Sequence, residues 1–166
     1  MFAVIVNPVS GGGEAVRLAI RISERIAAMG QESRLFETSG DGDAARQTRA
    51  AVEAGCEAVV CIGGDGTICE AAGELCHRDA TFYVVPGGTG NDFARTFHLS
   101  GELSKVLDIA VYGKGMPIDV FDTDSGIYIN ICSVGLDSEA AYNASKMHNV
   151  AGSVSYLLGA LWALIR

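Results

Sequence analysis

Positive charge is what this sequence has least of. Lysine and arginine together number 12 against 20 aspartates and glutamates, which leaves a net charge of −8. Nucleic-acid backbones are gripped by cationic side chains, so no nucleic-acid partner is expected. Strong, purely electrostatic docking to an anionic membrane is disfavoured for the same reason. Neither argument touches a single nucleotide, which backbone N–H groups and a metal ion can hold. Proline is also scarce, at three residues, and there is no low-complexity tract or internal repeat. The glycines therefore do not signal disorder. They cluster between apolar runs, where tight functional loops need them.

Other absences narrow the choice further. The five cysteines (Cys56, Cys61, Cys69, Cys76 and Cys132) include no C-x-x-C pair. An odd number in apolar surroundings is expected to be reduced and buried, as in a cytoplasmic protein. A structural zinc site asks for four clustered ligands, and His77, His98 and His148 are too scattered to help. Met1–Asn7 lacks the charged start of a secretory signal. No apolar run reaches the roughly 18 residues of a membrane span. There is no G-x-x-x-x-G-K-[ST] and no lysine in any glycine loop, so this is not a P-loop. Nor does G-x-G-x-x-G follow the first strand, which weakens a dinucleotide reading.

What is present is an alternation. Phe2–Val6 is a short apolar run that ends at Asn7-Pro8. Ala15, Ala19, Ile22, Ile26 and Met29 then recur at helical spacing, and Gly30 closes that helix. Ser33–Glu37 reads as a second strand. A helix follows Asp41-Gly42-Asp43, with Ala45, Thr48 and Val52 on one side. Ala58–Ile62 is a third strand, and a helix is expected from Ile68 to Cys76, with Thr67 and Glu70 as a capping box. Phe82–Val85 is a fourth strand, and Leu103, Val106, Leu107 and Ala110 mark a further helix. This pattern predicts an α/β fold with a mostly parallel sheet and helices on both faces. Near Gly115 the pattern changes. Pro117–Phe121 and Ile127–Val134 read as two strands joined by Asp122–Gly126. An apolar helix follows, with Val154, Leu157, Leu158, Leu161, Trp162 and Ile165. Such a helix wants cover on most sides. The expected domains are 1–114, holding the nucleotide, and 115–166, the start of a β-rich second domain.

Three polar loops carry the chemistry: Asn7-Pro8-Val9-Ser10-Gly11-Gly12-Gly13, Gly63-Gly64-Asp65-Gly66-Thr67 and Pro86-Gly87-Gly88-Thr89-Gly90-Asn91-Asp92. Each follows the carboxyl end of a strand, the edge at which open α/β sheets bind ligands. Glycines let a phosphate approach the backbone, and successive N–H groups form an anion nest. Thr67 and Thr89 add hydroxyls. A lone carboxylate beside phosphates would repel them, so Asp65 implies a bridging Mg²⁺. Any one loop could instead be a tight turn with solvent-facing polar residues. Arg95 reads either as a helix-surface residue or as a phosphate or headgroup contact.

Together these three loops, the third continuing through Asp92-Phe93-Ala94-Arg95, resemble the diacylglycerol kinase catalytic-domain family of bacterial lipid kinases and sphingosine kinases. Gly-Gly-Asp-Gly-Thr is shared with NAD kinases. Ile118-Asp119-Val120, Tyr128-Ile129-Asn130 and Gly135-Leu136-Asp137 resemble the family's approach to a β-rich second domain. The resemblance implies ATP in a cleft, contacted by Asn7, Pro8, Val9, Ser10, Gly11, Thr38, Gly64, Asp65, Gly66, Thr67, Ile68, Cys69, Glu70 and Thr89. It places Asp65 near Mg²⁺ and the phosphates, and has Asn91 and Asp92 shape the third loop. Cys69 departs from the Asn of many bacterial members. The implied reaction moves the γ-phosphoryl of ATP to the hydroxyl of diacylglycerol or a similar lipid. It implies transient contact with the inner face of a membrane, and the apolar last helix adds an expectation of self-association. Family members are roughly twice as long, with their proposed catalytic acid in the later half, so this chain is expected to be a partial one. The alternatives are an NAD kinase-type phosphotransferase and a non-catalytic nucleotide-binding fragment.

Overall fold

A computed structural model describes residues 1–99, 102, 105, 114–131, 135–147 and 152–165. They fall into two compact units, Met1–Asn130 and Ile131–Arg166.

The first unit is built on four parallel strands, β1 (Phe2–Val6), β2 (Ser33–Glu37), β3 (Ala58–Gly63) and β4 (Thr81–Pro86), in the order β2-β1-β3-β4. β1 and β3 occupy the centre, and this is why they read as unbroken apolar runs: Val4, Ile5, Val59, Cys61 and Ile62 are wholly or almost wholly buried. Side chains alternate between faces. Val4, Val6, Val60, Ile62 and Val85 point to one side, where α1 (Glu14–Ala28) lays Ala15, Ala19, Ile22 and Ile26 against them. Ala3, Ile5 and Val59 point to the other, under α2 (Asp43–Glu53) and Leu75 of α3 (Asp65–Leu75). Burying each large apolar side chain is worth about 1.5–3 kcal/mol. Helices therefore cover both faces, as the alternation predicted.

Several elements differ from expectation. The buried line of α2 runs through Asp43, Ala44, Thr48 and Ala51 rather than Ala45, Thr48 and Val52. Its first turn is pinned by hydrogen bonds at Ser39 and Glu70, and these set its rotation. The hairpin is shorter than its apolar pattern. β5 (Phe121–Thr123) pairs antiparallel with β6 (Gly126–Tyr128), so Asp122 and Thr123 lie in the ladder and the turn is Asp124-Ser125. Residues 117–120 form no strand; Pro117 has no N–H to give, and Ile118 and Val120 instead pack against a cluster around Ile68, Ala71 and Phe93. A short helix, α4 (Asp92–Thr96), was not anticipated. The expected helix around Leu103–Ala110, together with Cys132, Val134 and His148, lies outside the described residues.

Cys56 and Cys61 are buried, Cys69 and Cys76 partly so, and all four are free thiols. Burial pushes the Cys61 thiol up to about 12, which leaves it protonated and inert.

The described part of the second unit is helical: α5 (Leu136–Ser145) packs on α6 (Gly152–Ile165). The Tyr156 hydroxyl donates to Asp137 Oδ1 at 2.5 Å, and the carboxylate raises the phenol's pKa. The helices meet at Gly159, where a β-carbon would overlap the carbonyl oxygen of Ala140 and crowd the amide of Ala144. Gly159→Leu is expected to part α5 from α6 and leave the parallel sheet folded. Hydrogen exchange reads this as amide protection lost over the two helices and kept over β1 and β3. Full protection over both helices would contradict the close approach.

Candidate functional site

Adjacent parallel strands must deliver their following loops side by side, and here all four do so at one edge. Backbone bonds continue the sheet past the strand ends. Asn7 N–H donates to Ile62 at 3.0 Å, Thr38 N–H to Val6 at 2.9 Å and Gly87 N–H to Gly63 at 2.8 Å.

In the first loop, Asn7 Oδ1 accepts from Val9 N–H at 3.2 Å, closing a local turn, while Nδ2 donates to Thr67 Oγ1 at 3.2 Å. One side chain thus shapes loop one and ties it to α3. Ser10 is buried beneath the loop, whereas Val9 is 81% exposed. Gly11, Gly12 and Gly13 all take positive φ, at 58°, 66° and 94°. Three such residues in succession leave this turn open only to glycine.

The second loop passes straight into α3, which begins at Asp65 with Gly64 as its N-cap. The expected start at Ile68 and the Thr67–Glu70 capping box are both corrected. Ile68 N–H already bonds Gly64 oxygen at 3.0 Å, so Asp65, Gly66 and Thr67 form the first turn. Their N–H groups have no carbonyl four residues earlier, and the positive end of the helix lies among them.

The third loop is held by Asn91, whose Oδ1 accepts from Gly88 N–H at 2.9 Å and whose Nδ2 donates to Gly88 oxygen at 2.7 Å. A β-carbon on Gly88 would lie 2.5 Å from Gly64 Cα. Loops two and three therefore touch backbone to backbone. Thr89 and Gly90 are exposed at the tip.

Asp65 faces this third loop. Its Oδ1 accepts the Phe93 N–H at 3.2 Å, in the first turn of α4. A β-carbon on Gly90 would lie 2.8 Å from Asp65 Oδ2 and 3.6 Å from Asp92 Oδ2, so both oxygens border Gly90. Arg95 holds the other Asp92 oxygen at 2.8 Å and also donates to the Gly90 carbonyl. Carboxylate oxygens are hard donors, the kind that Mg²⁺ takes one or two at a time while phosphates and water complete its shell. Among the described residues no group of three or more potential ligands occurs, so the protein builds no closed metal cage there.

The second turn of α3 points elsewhere. Ile68 is buried in the core. Cys69 Sγ lies 3.9 Å from the Ile127 carbonyl, toward the hairpin. Glu70 reaches α2, where its two oxygens accept the N–H groups of Gly42 at 2.9 Å and Ala44 at 3.2 Å. Beside it the Asp43 carboxylate takes the Ser39 hydroxyl and N–H, both at 2.8 Å. These bonds, with Arg46 adding less, hold the Asp43 carboxyl below its ordinary range. Its contribution to stability is in place above that range and is lost as pH falls through the depressed value. Glu70 and Asp43 together fix the segment that follows Thr38, itself 7% exposed at the end of β2. No local sequence pattern signals these cross-element caps, whose partners lie 26 and 28 residues apart. The Asn91-Asp92 pair, a common helix start, was the available signal for α4.

A larger apolar hollow of about 680 Å³, lined by Leu75, Phe82, Phe97 and Ile118 among others, contains none of the glycine-loop residues. Removing Glu70 leaves the partly buried Ala44 N–H without its acceptor and gives up the exposed Gly42 N–H to water. Glu70→Ala is therefore expected to cost about 1–3 kcal/mol in urea unfolding, with Glu70→Gln intermediate. An unchanged midpoint would refute the capping role.

Residues 1–123 match the family described as the diacylglycerol kinase catalytic domain. The chain is 34% identical over 164 residues to a "Probable lipid kinase YegS-like" of Enterobacter sp. (strain 638), covering 95% of this chain and 54% of that protein. It is 31% identical over 159 residues to a diacylglycerol kinase of Bacillus subtilis (strain 168), covering 93% of this chain and 52% of the relative. A crystal structure of a diacylglycerol kinase from Bacillus anthracis str. Sterne superposes with a TM-score of 0.71 at 25% identity, over 90% of this chain and 55% of that one. The chain thus spans about half the length of the relatives it matches.

Proposed function

This chain belongs to the diacylglycerol kinase catalytic-domain family, and on that premise we propose that it holds Mg-ATP at the glycine edge for transfer of the γ-phosphoryl to a lipid alcohol, diacylglycerol foremost. The observation that carries this reading is the junction of the three loops, above all the backbone contact of Gly64 with Gly88. Phosphoryl transfer asks mainly for positioning and for neutralised oxygen charge. Gly11–Gly13 and the first turn of α3 would offer N–H groups to the phosphates, and Gly87-Gly88, whose own N–H groups are held by Gly63 and Asn91, would let the phosphates approach the backbone. Thr38, near the end of β2, and the outer part of the first loop would border the nucleoside. Asp65 and Asp92 would hold the Mg²⁺, which when bound offsets charge on the phosphate oxygens. No residue of this chain is assigned to deprotonating the acceptor. A lipid acceptor implies work at a membrane surface, met transiently from the cytoplasmic side. No helix among the described residues is long and apolar enough to cross one.

Radiolabelled ATP with diacylglycerol or with NAD as acceptor tests the assignment. Label is expected in the lipid product, and label only in NADP would overturn it. Asp65→Asn retains an oxygen for Phe93 N–H and should keep the fold, while weakening Mg-dependent ATP binding about tenfold or more, as expected for loss of a charged partner. Equal Mg-ATP affinity by calorimetry would remove Asp65 from this role.

The face of α6 supports a further reading of the partners. Leu157, Leu161 and Trp162 are 62%, 47% and 61% exposed, a contiguous apolar surface of the kind that draws molecules together. Copies of this chain are expected to associate through it, so that light scattering gives a mass above the monomer and Leu157→Lys with Leu161→Lys lowers it. A monomeric parent chain would exclude the association.

A further inference from the structure

A hollow of about 510 Å³ opens between α1 and the glycine loops, lined in part by Gly11, Gly87, Gly88, Glu14, Arg17 and Arg21. It shares backbone with the proposed nucleotide cradle but lies on the α1 face of the sheet, since Ile62 and Ala15, which also line it, belong to the cluster packed under that helix. Arg17 and Arg21 are four residues apart on α1, hence neighbours on one helix face. Two guanidinium groups bordering one hollow run against the composition of a chain with a net charge of −8.

Neither arginine is firmly engaged. Arg21 makes no ion pair among the described residues. Arg17 meets Glu14 at 2.9 Å, but the two side chains are 77% and 72% exposed, and such a pair is weak, screened by salt and readily exchanged. Arg95, the cation beside Gly90, is committed to Asp92 and the Gly90 carbonyl. The cradle is therefore polarised. Asp65 and Asp92 border it at Gly90, and at Gly11 and Gly87 the two exchangeable guanidinium groups of Arg17 and Arg21 outnumber the one carboxylate, Glu14, that lines the hollow.

We propose that Arg17 and Arg21 bind phosphate oxygens of the nucleotide's polyphosphate chain in this hollow, on the side of the cradle away from Asp65. The proposal rests on the nucleotide reading above and adds two residues that the glycine motifs do not contain. Guanidinium groups suit the task because their fixed fork of donors matches phosphate oxygens. The arrangement orients the anion: its bulk charge lies against α1, and its metal-bound end lies toward Asp65 and Asp92.

The experiment compares the chain with its Arg17→Gln/Arg21→Gln variant, and with Arg21→Gln alone, by calorimetry against Mg-ATP, inorganic tripolyphosphate and adenosine at low and high salt. Both substitutions lie on an exposed helix face, and far-UV circular dichroism checks the fold. The double variant is expected to lose about tenfold or more in affinity for Mg-ATP and tripolyphosphate, to lose part of their salt dependence, and to bind adenosine unchanged. Unaltered Mg-ATP affinity in the double variant sinks this proposal and leaves the nucleotide reading standing. Tripolyphosphate binding that needs the arginines, in a parent chain that binds no nucleotide, sinks the nucleotide reading and keeps the hollow as a polyphosphate site. A parent chain that binds neither ligand overturns both, and equal losses for adenosine overturn the direct contact. In a parallel arm, vesicles of phosphatidylcholine with phosphatidic acid are sedimented with each protein. Vesicle binding that falls in the double variant while tripolyphosphate affinity holds would assign the arginines to a lipid phosphate and overturn the polyphosphate contact.

Discussion

The contact between Gly64 and Gly88 governs the rest of the site. A β-carbon on Gly88 would come within 2.5 Å of Gly64 Cα, far inside ordinary contact distance, whereas one on Gly64 would sit 3.5 Å from Gly88 Cα, so β3 and β4 can bring their following loops together only because Gly88 lacks a side chain. The parallel register sets the direction, with Ile62 opposite Val85 and Gly63 opposite Pro86. The first loop joins through Asn7, which bonds Ile62 by its backbone and Thr67 by its side chain. Three turns far apart in sequence become one surface, made by strand order and by the absence of a side chain at Gly88.

Helix α3 then distributes that geometry to its neighbours. Asp65 accepts an N–H from the first turn of α4, and Glu70 accepts two from the first turn of α2. Each carboxylate meets orphan donors at the positive end of another helix, the favourable place for negative charge. The acidic residues of the Gly-Gly-Asp-Gly-Thr segment and its continuation thus have a structural role, whatever chemistry is proposed for Asp65. Asp65 is divided between the two roles: one oxygen fixes α4, and the other borders Gly90 with Asp92. A substitution there has to be judged on both counts, which is why an isosteric amide is more informative than alanine.

How much of this was legible in the residues follows from the physics of each element. β1 and β2 were read to the residue because one is wholly apolar and both are bounded by turn residues. β3 and β4 were read to within one residue at their ends. Parallel order followed from alternation with helices, and with it the convergence of the loops. The start of α3 was misplaced by three residues because Asp65, Gly66 and Thr67 carry no apolar periodicity, although they make its first turn. α4 has five residues, too few for a period to show. The rotation of α2 depends on Glu70, 26 residues from Ala44, a distance no local pattern reports. Helix α5 has only a weak apolar side, and the apolar stretch before it read as a longer strand.

An acidic chain that binds a polyphosphate needs a source of attraction other than net charge, and its arrangement decides where the anion can lie. Backbone N–H dipoles at Gly11–Gly13 and at the start of α3 are fixed by the fold and cost no side-chain ordering when a ligand arrives, unlike a long lysine. They also carry no formal charge, so on that side only Arg95, paired with Asp92, offsets the field of the two carboxylates. A polyanion placed symmetrically in the cradle would meet those two carboxylates directly. It can avoid them only by drawing a divalent cation between itself and the carboxylates, or by lying toward α1. The two solutions are compatible, because a chain of several phosphates is long enough to do one at each end. The scarcity of free cations at the glycine loops would then be part of how the proposed site sets direction: Arg95 is already paired with Asp92, and a metal-bound end would be drawn to the negative charge that remains at Asp65 and Asp92.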